Sequence, residues 1–196
     1  MDTKTDTKMD DKNGNKKHSK SEEKKKNQNQ KYSSKSPFCI MLMDSNRKIL
    51  NPRGISKKFV KIVRTPTANE IVETVDETVT LIDKPPEKVV ISTGVNDLDN
   101  VNEETVVKRI ENGVNKIKSV WPQSKVILSK LTVIKGRSNQ KVNDMIQRYA
   151  DTNNLMTITH DRIKEEHLRP GDDDRHIIRK YAGLFAIAFK KAVNSQ

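Results

Sequence analysis

Short apolar runs alternate with amphipathic stretches along most of this chain, beginning near residue 37. Five apolar runs predict β-strands at 38–43, 59–63, 89–93, 125–131 and 155–159. Most of these runs are nearly continuous, as expected of strands that are covered on both faces. Apolar residues at spacings of three and four predict helices at 68–82, 102–120, 139–152 and 177–193.

Local signals bound the first predicted helix. Thr67 is available as its N-cap, and Glu70 stands at the third helical position, which is the capping-box arrangement. Pro85 and Pro86 mark its end, because proline cannot continue a helix.

The order of these elements predicts an α/β fold, a three-layer α/β/α sandwich around a five-stranded parallel, flavodoxin-like sheet. In such folds the active groups lie at the carboxyl ends of the strands. The loops at 43–46 and 94–97, which follow the first and third predicted strands, are therefore expected to converge.

The first 36 residues have a different composition from the rest. They hold 11 lysines against 6 acidic residues, and only two methionines and a tyrosine could be buried. Such a segment cannot offset its ordering entropy, so we predict a disordered Lys-rich tail at 1–36 and one folded domain at 37–196.

Positive charge suggests a polyanionic partner. The chain carries a net charge of +12, to which the tail contributes +5. RNA or DNA could bind the tail through sequence-independent phosphate contacts, and the candidate contact residues are Lys16, Lys17, Lys24, Lys25 and Lys26. A solvated lysine-rich surface, or a nuclear-targeting run at 24–26, would explain the same pattern. Aromatic residues, at 4%, are too few for a base-stacking platform.

Other classes of protein are disfavoured. The chain has no apolar signal-peptide core near its start and no run of about 18 apolar residues, so we expect an intracellular protein without a membrane span. The single cysteine, Cys39, excludes an intrachain disulfide and is predicted to be a buried thiol. One cysteine and four scattered histidines give no metal-ligand spacing, so no metal site is predicted.

Two of the expected loops carry residues suited to acyl transfer. Ser45 directly follows the first strand, where a strand-to-helix turn would expose its hydroxyl; alternatively it N-caps a short helical turn. After the third strand, Gly94 lets the backbone approach closely and the Asn96 amide could donate to an oxyanion, although such a segment is often only a turn.

A third polar segment precedes the last predicted helix. There Asp173 could hold the imidazole of His176 in the tautomer that a general base requires. Alternatively, the aspartates at 172–174 favour the start of the helix through its dipole, and His176 is exposed.

Together, Asp44-Ser45, Gly94-x-Asn96-Asp97 and Asp173-x-x-His176 resemble the sequence blocks of the SGNH, or GDSL-like, hydrolase superfamily. The resemblance spans residues 38 to about 192. It implies a serine esterase acting on a small acyl or acetyl ester, with no metal or organic cofactor. Ser45 would be the nucleophile, His176 the base and Asp173 its orienter. Asn96 and the Ser45 N–H, beside Gly94, would form the oxyanion site.

The chain departs from the family pattern at two glycines. Met43 precedes the Asp-Ser pair where the family usually has glycine, and the loop at 64–68 contains none. A backbone N–H near Thr65 or Thr67 could replace the missing oxyanion donor; losing one such donor costs about 10²- to 10³-fold in rate.

The stretches DSNRKILNPRGI, STGVNDL and WPQSKVILSKL also resemble SGNH-like domains of animal transposable elements and of the first-reading-frame proteins of LINE retrotransposons. This resemblance implies an alternative function, a catalytically weak module that binds nucleic acid through its basic tail.

Overall fold

Five parallel strands form one sheet in the computed structural model, which describes residues 36–171 and 174–195. The strands are β1 (Cys39–Met43), β2 (Val60–Arg64), β3 (Lys88–Ser92), β4 (Lys125–Ser129) and β5 (Met156–Ile158). Their order in the sheet is β2-β1-β3-β4-β5, and every neighbouring pair is parallel. This is the flavodoxin-like order, so the predicted sheet is confirmed.

Strand register brings three loops to one level at the carboxyl edge of the sheet. Met43, the last residue of β1, is paired with Arg64 at the end of β2 and with Ser92 at the end of β3. The chain passes from β1 to β2 on one side and then crosses to β3 on the other side of β1, so the strand order reverses between β1 and β3. Ligands bind at this point in open α/β sheets, so the fold itself indicates where to look for a site.

Helices cover both faces of the sheet. They are α1 (Pro52–Ile55), α2 (Ile71–Val79), α3 (Glu103–Val120), α4 (Gln140–Thr152) and α5 (Ala182–Asn194). Side chains of β1 alternate between two cores, since Ile40 and Leu42 pack with α2, α3 and α4, whereas Met41 and Met43 pack with α1 and α5. Each face of the central strands is therefore buried, which explains their continuous apolar sequences.

The first predicted helix begins differently from the expectation. A 3-10 turn at Ala68–Glu70 precedes α2, and Thr67 caps it without a side-chain bond to the backbone. Instead, the Thr67 hydroxyl donates to Glu70 Oε1 at 2.8 Å. The predicted capping box is therefore wrong, because the two side chains bond to each other rather than to orphan backbone amides.

The last predicted helix begins later than expected. It was predicted from residue 177, but α5 starts at Ala182, after a 3-10 turn at Arg179–Tyr181. The backbone N–H of Ile177 is bonded to the Asn46 side chain, and the N–H of Ile178 to the carbonyl of His167. These bonds hold the segment before α5 in an extended path.

Three further predictions concern the cysteine, membrane spans and the tail lysines. Cys39 is fully buried as predicted, and burial raises the pKa of its thiol to about 12. Within the described ranges no helix is long and apolar enough to cross a membrane. Residues 1–35, which include the five candidate tail lysines, lie outside the described residues.

Candidate active site

Ser45 and His176 meet at the carboxyl edge of the sheet. Ser45 opens the one-turn 3-10 helix Ser45–Ile49 that follows β1, and its Oγ shares a hydrogen bond with Nε2 of His176, 131 residues later in the chain. Both residues are partly exposed. The N-cap of the turn is Asp44 rather than Ser45, because the Asp44 carboxylate accepts from the Asn46 N–H at 2.8 Å. The alternative role of Ser45 as the cap is therefore wrong.

The Asp44 carboxyl lies buried beside this pair. Burial raises its pKa to about 6, while the Asn46 N–H and the positive charges of His176 and Arg175 pull the pKa down. Above that pH a negative charge stands close to the imidazole of His176. Asp44 also lines a cavity of about 10 Å³ with the polar residues Asn46, Ser92 and Thr93.

Gly94 has the close packing that the sequence suggested. Its φ is +120°, and a Cβ there would stand 3.2 Å from Val106 Cγ1 and 3.4 Å from Leu131 Cδ2. A side chain would therefore be strained both by the backbone and by the neighbours. Glycine allows the chain to turn sharply after β3, and the carbonyl of Gly94 accepts from the Asp97 N–H at 3.2 Å.

The amide of Asn96 is oriented by the loop after β2. Its Nδ2 donates to the carbonyl of Pro66 at 2.9 Å. A primary amide has two N–H donors, so this bond fixes the group and leaves a second donor. The two loops are joined again by the Thr93 hydroxyl, which donates to the carbonyl of Thr65 at 2.7 Å.

Asp97 holds the same two loops together. Its fully buried carboxylate accepts from the Ala68 N–H at 2.7 Å and forms an ion pair with Arg109, also at 2.7 Å. In the sequence Asp97 was only the last residue of a motif. Its neighbours in space, 29 and 12 residues away, could not be read from that motif.

The two places where the SGNH resemblance would expect glycine show no strained backbone. Among the described residues Asn154 is the only non-glycine with positive φ, so Met43 adopts an ordinary strand conformation, and Thr67 has φ −132°. However, the Thr65 N–H donates to the carbonyl of Met43 at 2.7 Å. Thr65 is therefore excluded as the replacement oxyanion donor, whereas the other candidate, the Thr67 N–H, has no hydrogen-bond partner among the described residues.

The segment that carries His176 is fastened by two residues that the sequence did not single out. Asn46 accepts from the Ile177 N–H at 3.0 Å and donates to the Arg175 carbonyl at 3.2 Å. The Arg175 guanidinium binds both oxygens of Asp99, at 2.6 and 3.0 Å, and reaches Asp174 at 2.8 Å. Asp173, the predicted orienter of His176, lies outside the described residues.

A second serine–histidine contact lies at the ends of β4 and β5. Ser129 Oγ is 2.7 Å from His160 Nε2, and Ser92 donates to Ser129 at 3.2 Å. Burial lowers the pKa of His160 to about 4, and its ring packs against Phe185 and Phe189. Its Nδ1 is buried without a hydrogen-bond partner among the described residues. This pair therefore lacks the orienting group of a catalytic histidine.

Among the described residues, no group of three or more His, Cys, Asp or Glu side chains could hold a metal ion. Ser45 and His176 supply a hydroxyl and a basic nitrogen in contact, and Asn96, in the loop after the neighbouring strand β3, carries an amide donor. These are the groups that acyl transfer requires.

Comparison with known proteins finds solved structures with a similar fold. No protein-family model and no curated protein sequence matches the chain. A GDSL-like lipase from Bacteroides thetaiotaomicron is 16% identical, with 87% of this chain and 96% of that chain covered and a TM-score of 0.66. A lipolytic protein of the G-D-S-L family from Veillonella parvula is 17% identical, with 79% and 95% covered and a TM-score of 0.60. A carbohydrate esterase family 3 protein from Talaromyces cellulolyticus is 16% identical, with 79% and 95% covered and a TM-score of 0.61.

The structural matches span nearly the whole length of each neighbour at low sequence identity. The chain therefore has the α/β/α fold of the GDSL-like, or SGNH, hydrolases. These structural matches do not test the resemblance to proteins of transposable elements, which stays a prediction.

Proposed function

We propose that this protein is an SGNH-type serine esterase with Ser45 as its nucleophile and His176 as its general base. The observation that carries the proposal is the hydrogen bond between Ser45 Oγ and His176 Nε2. A nucleophile and a base within hydrogen-bond reach, at the carboxyl edge of a parallel sheet, form the core of a serine hydrolase site. The fold shared with lipolytic and esterase structures supports the same reading.

The proposed reaction has two acyl-transfer steps. Ser45 Oγ attacks the ester carbonyl carbon and gives its proton to His176 Nε2. The intermediate expels the alcohol, which takes that proton and leaves the acyl group on Ser45. Water then attacks the acyl group in the same way, releasing the acid and the free serine. By resemblance, Asp173 would orient His176 during both steps.

Two donors are proposed for the oxyanion, the Ser45 N–H and the second N–H of Asn96. The bond from Asn96 to Pro66 supports this role because it fixes the amide before substrate binds. A third donor would have to come from another amide, since those of Thr65 and Ala68 are already bonded, and the Thr67 N–H is the remaining candidate. Without a third donor we expect turnover about 10²- to 10³-fold below that of a site with a full set of donors.

A small acyl group, such as acetyl, is the proposed acyl part of the substrate. The resemblance to SGNH hydrolases supports this choice. The cavity of about 10 Å³ beside the serine turn is lined by neither Ser45 nor His176 and does not bear on the acyl group. The proposal specifies the acyl part of the ester and not its alcohol.

The test is hydrolysis of 4-nitrophenyl acetate by the wild type and by Ser45→Ala. We expect turnover by the wild type and only the background rate in the variant. Ser129→Ala is the matched control, because it removes the other serine–histidine contact, and it should keep wild-type turnover. Circular dichroism should first show that all three proteins are folded. Equal turnover by the wild type and Ser45→Ala would contradict the proposal.

A second candidate function rests on charge and on the incomplete oxyanion site. The net charge of +12, and the 11 lysines before residue 37, favour binding to RNA or DNA by a module with weak catalysis. The amide of Thr65, bonded to Met43, favours weak catalysis as well. This function and the esterase function predict different effects of removing the tail.

A further inference from the structure

The side chain of Asn46 bridges the backbone on both sides of His176. Its Oδ1 accepts from the N–H of Ile177 at 3.0 Å, and its Nδ2 donates to the carbonyl of Arg175 at 3.2 Å. Only one orientation of the amide satisfies both bonds, since its oxygen must face the N–H and its nitrogen the carbonyl. The peptide groups that flank the histidine are thus held by one side chain.

That side chain is itself rigidly placed. Asn46 directly follows Ser45 in the 3-10 turn, is 3% exposed, and donates its own N–H to Asp44 Oδ1 at 2.8 Å. The nucleophile and the residue that grips the histidine segment therefore belong to the same short turn. A shift of the turn would carry both together and leave the distance between Ser45 and His176 unchanged.

The histidine segment needs such a tie because it belongs to no helix or strand. Other contacts hold it to different parts of the molecule. The His176 carbonyl accepts from Arg169, the Ile178 N–H bonds to His167, and the Arg175 guanidinium pairs with Asp99. None of those contacts connects the histidine segment to the turn that carries Ser45, whereas the two bonds of Asn46 do.

We propose that Asn46 is a positioning residue that sets the approach of His176 Nε2 to Ser45 Oγ. This inference rests on the proposed esterase function. Asn46 does not touch the reacting atoms, so it acts through His176. Loss of its two bonds would let the imidazole drift, and a displacement of about 1 Å in a catalytic group can cost about 10²-fold in rate.

The variants Asn46→Ala and Asn46→Leu test this role. Leucine keeps most of the side-chain volume, so a shared defect of both variants cannot be blamed on a cavity. With 4-nitrophenyl acetate we expect kcat to fall by about 10²-fold and KM to stay within about twofold, because substrate contacts are untouched. Amide hydrogen exchange at Ile177 should become at least about tenfold faster, since its acceptor is gone.

Ser56→Ala is the matched control. It removes a partly buried hydrogen bond of similar length, 2.8 Å to Asn194 Oδ1, at the contact between α1 and α5. We expect it to lower stability in the way Asn46→Ala does and to leave kcat within about twofold. A comparable fall in kcat for Ser56→Ala would overturn the proposal, because general destabilisation would then explain the effect.

Two further outcomes separate this inference from the proposed function. If the wild type turns over the ester and both Asn46 variants keep their kcat within twofold, the positioning role is wrong and the esterase function stands. If the wild type shows no turnover above Ser45→Ala, the esterase function is wrong, and the positioning role fails with it. In that case, faster amide exchange at Ile177 in the Asn46 variants would show that Asn46 has only a structural role.

Discussion

Asp44 is a buried carboxyl next to the serine, and its ionisation opposes folding. Burial raises its pKa in the folded protein to about 6, above the ordinary value of about 4. Between these two values the folded state binds a proton that the unfolded state has lost. The free energy of unfolding therefore falls as pH rises from about 4 to about 6. Outside that window this group adds no further pH dependence, and the full loss persists at higher pH.

Replacing Asp44 with asparagine should remove this pH dependence. Asparagine keeps an oxygen that can accept from the Asn46 N–H, so the cap survives. Relative to the wild type, Asp44→Asn should be more stable at pH 7 than at pH 4, by at most about 3 kcal/mol for a shift of about two units. Urea unfolding at both pH values measures this, and the other carboxyls cancel in the comparison. An equal difference at the two pH values would count against the buried-charge argument.

Sequence reasoning singled out some residues of the candidate site and missed others for a physical reason. Ser45, Asn96 and His176 stand in short motifs whose local pattern suggests chemistry. Asn46 and Arg175 act on the backbone of segments far away, since Asn46 reaches residues 129 and 131 positions later. No local sequence pattern indicates that an asparagine side chain will form hydrogen bonds with a distant peptide group.

At the scale of elements, strands and helices follow from periodicity, and their ends do not. All five predicted strands form. The three central strands, β1, β3 and β4, are the most distinctive in sequence because they are buried on both faces. Helix α3 begins one residue after Asn102, whose side chain caps it by accepting from the Thr105 N–H at 2.9 Å. The start of α5 was missed by five residues, because bonds to Asn46 and His167 decide it.

The packing of α2 on α3 gives a sharp test of the fold. Gly113 lies in the middle of α3, where an added Cβ would collide with Ile71 Cγ2 and stand 3.0 Å from Ile71 Cβ. Alanine favours an isolated helix over glycine by about 1 kcal/mol, but here the collision should outweigh that gain. We expect Gly113→Ala to lower the free energy of unfolding by about 1–3 kcal/mol.

Gly183, in the first turn of α5, provides the comparison. Nothing lies within 4 Å of a Cβ added there, so Gly183→Ala should be neutral or stabilise the protein by up to about 1 kcal/mol. Thermal and urea unfolding of both variants measure the difference. If Gly113→Ala were as stable as Gly183→Ala, the close contact between α2 and α3 would be incorrect.

At the scale of the whole molecule, the folded domain and the lysine-rich tail are suited to different tasks. The sheet edge brings a serine and a histidine into contact, whereas the first 36 residues are distinguished by their sequence, which holds 11 lysines. If the tail binds nucleic acid, affinity should depend on salt and be independent of base sequence. The esterase activity should not change when the tail is removed.

This separation can be measured with a labelled single-stranded RNA and a salt series. Replacing Lys16, Lys17, Lys24, Lys25 and Lys26 with glutamine should weaken binding and reduce the salt slope by at most about 3.5, since each of the five lost phosphate contacts contributes about 0.7. The matched control replaces the same number of exposed domain lysines, Lys57, Lys84, Lys118, Lys190 and Lys191. Both variants lose five charges, so a larger effect of the tail substitutions assigns binding to the tail. Equal effects would show attraction to net charge alone, and binding unchanged by the tail substitutions would exclude the tail as the nucleic-acid contact.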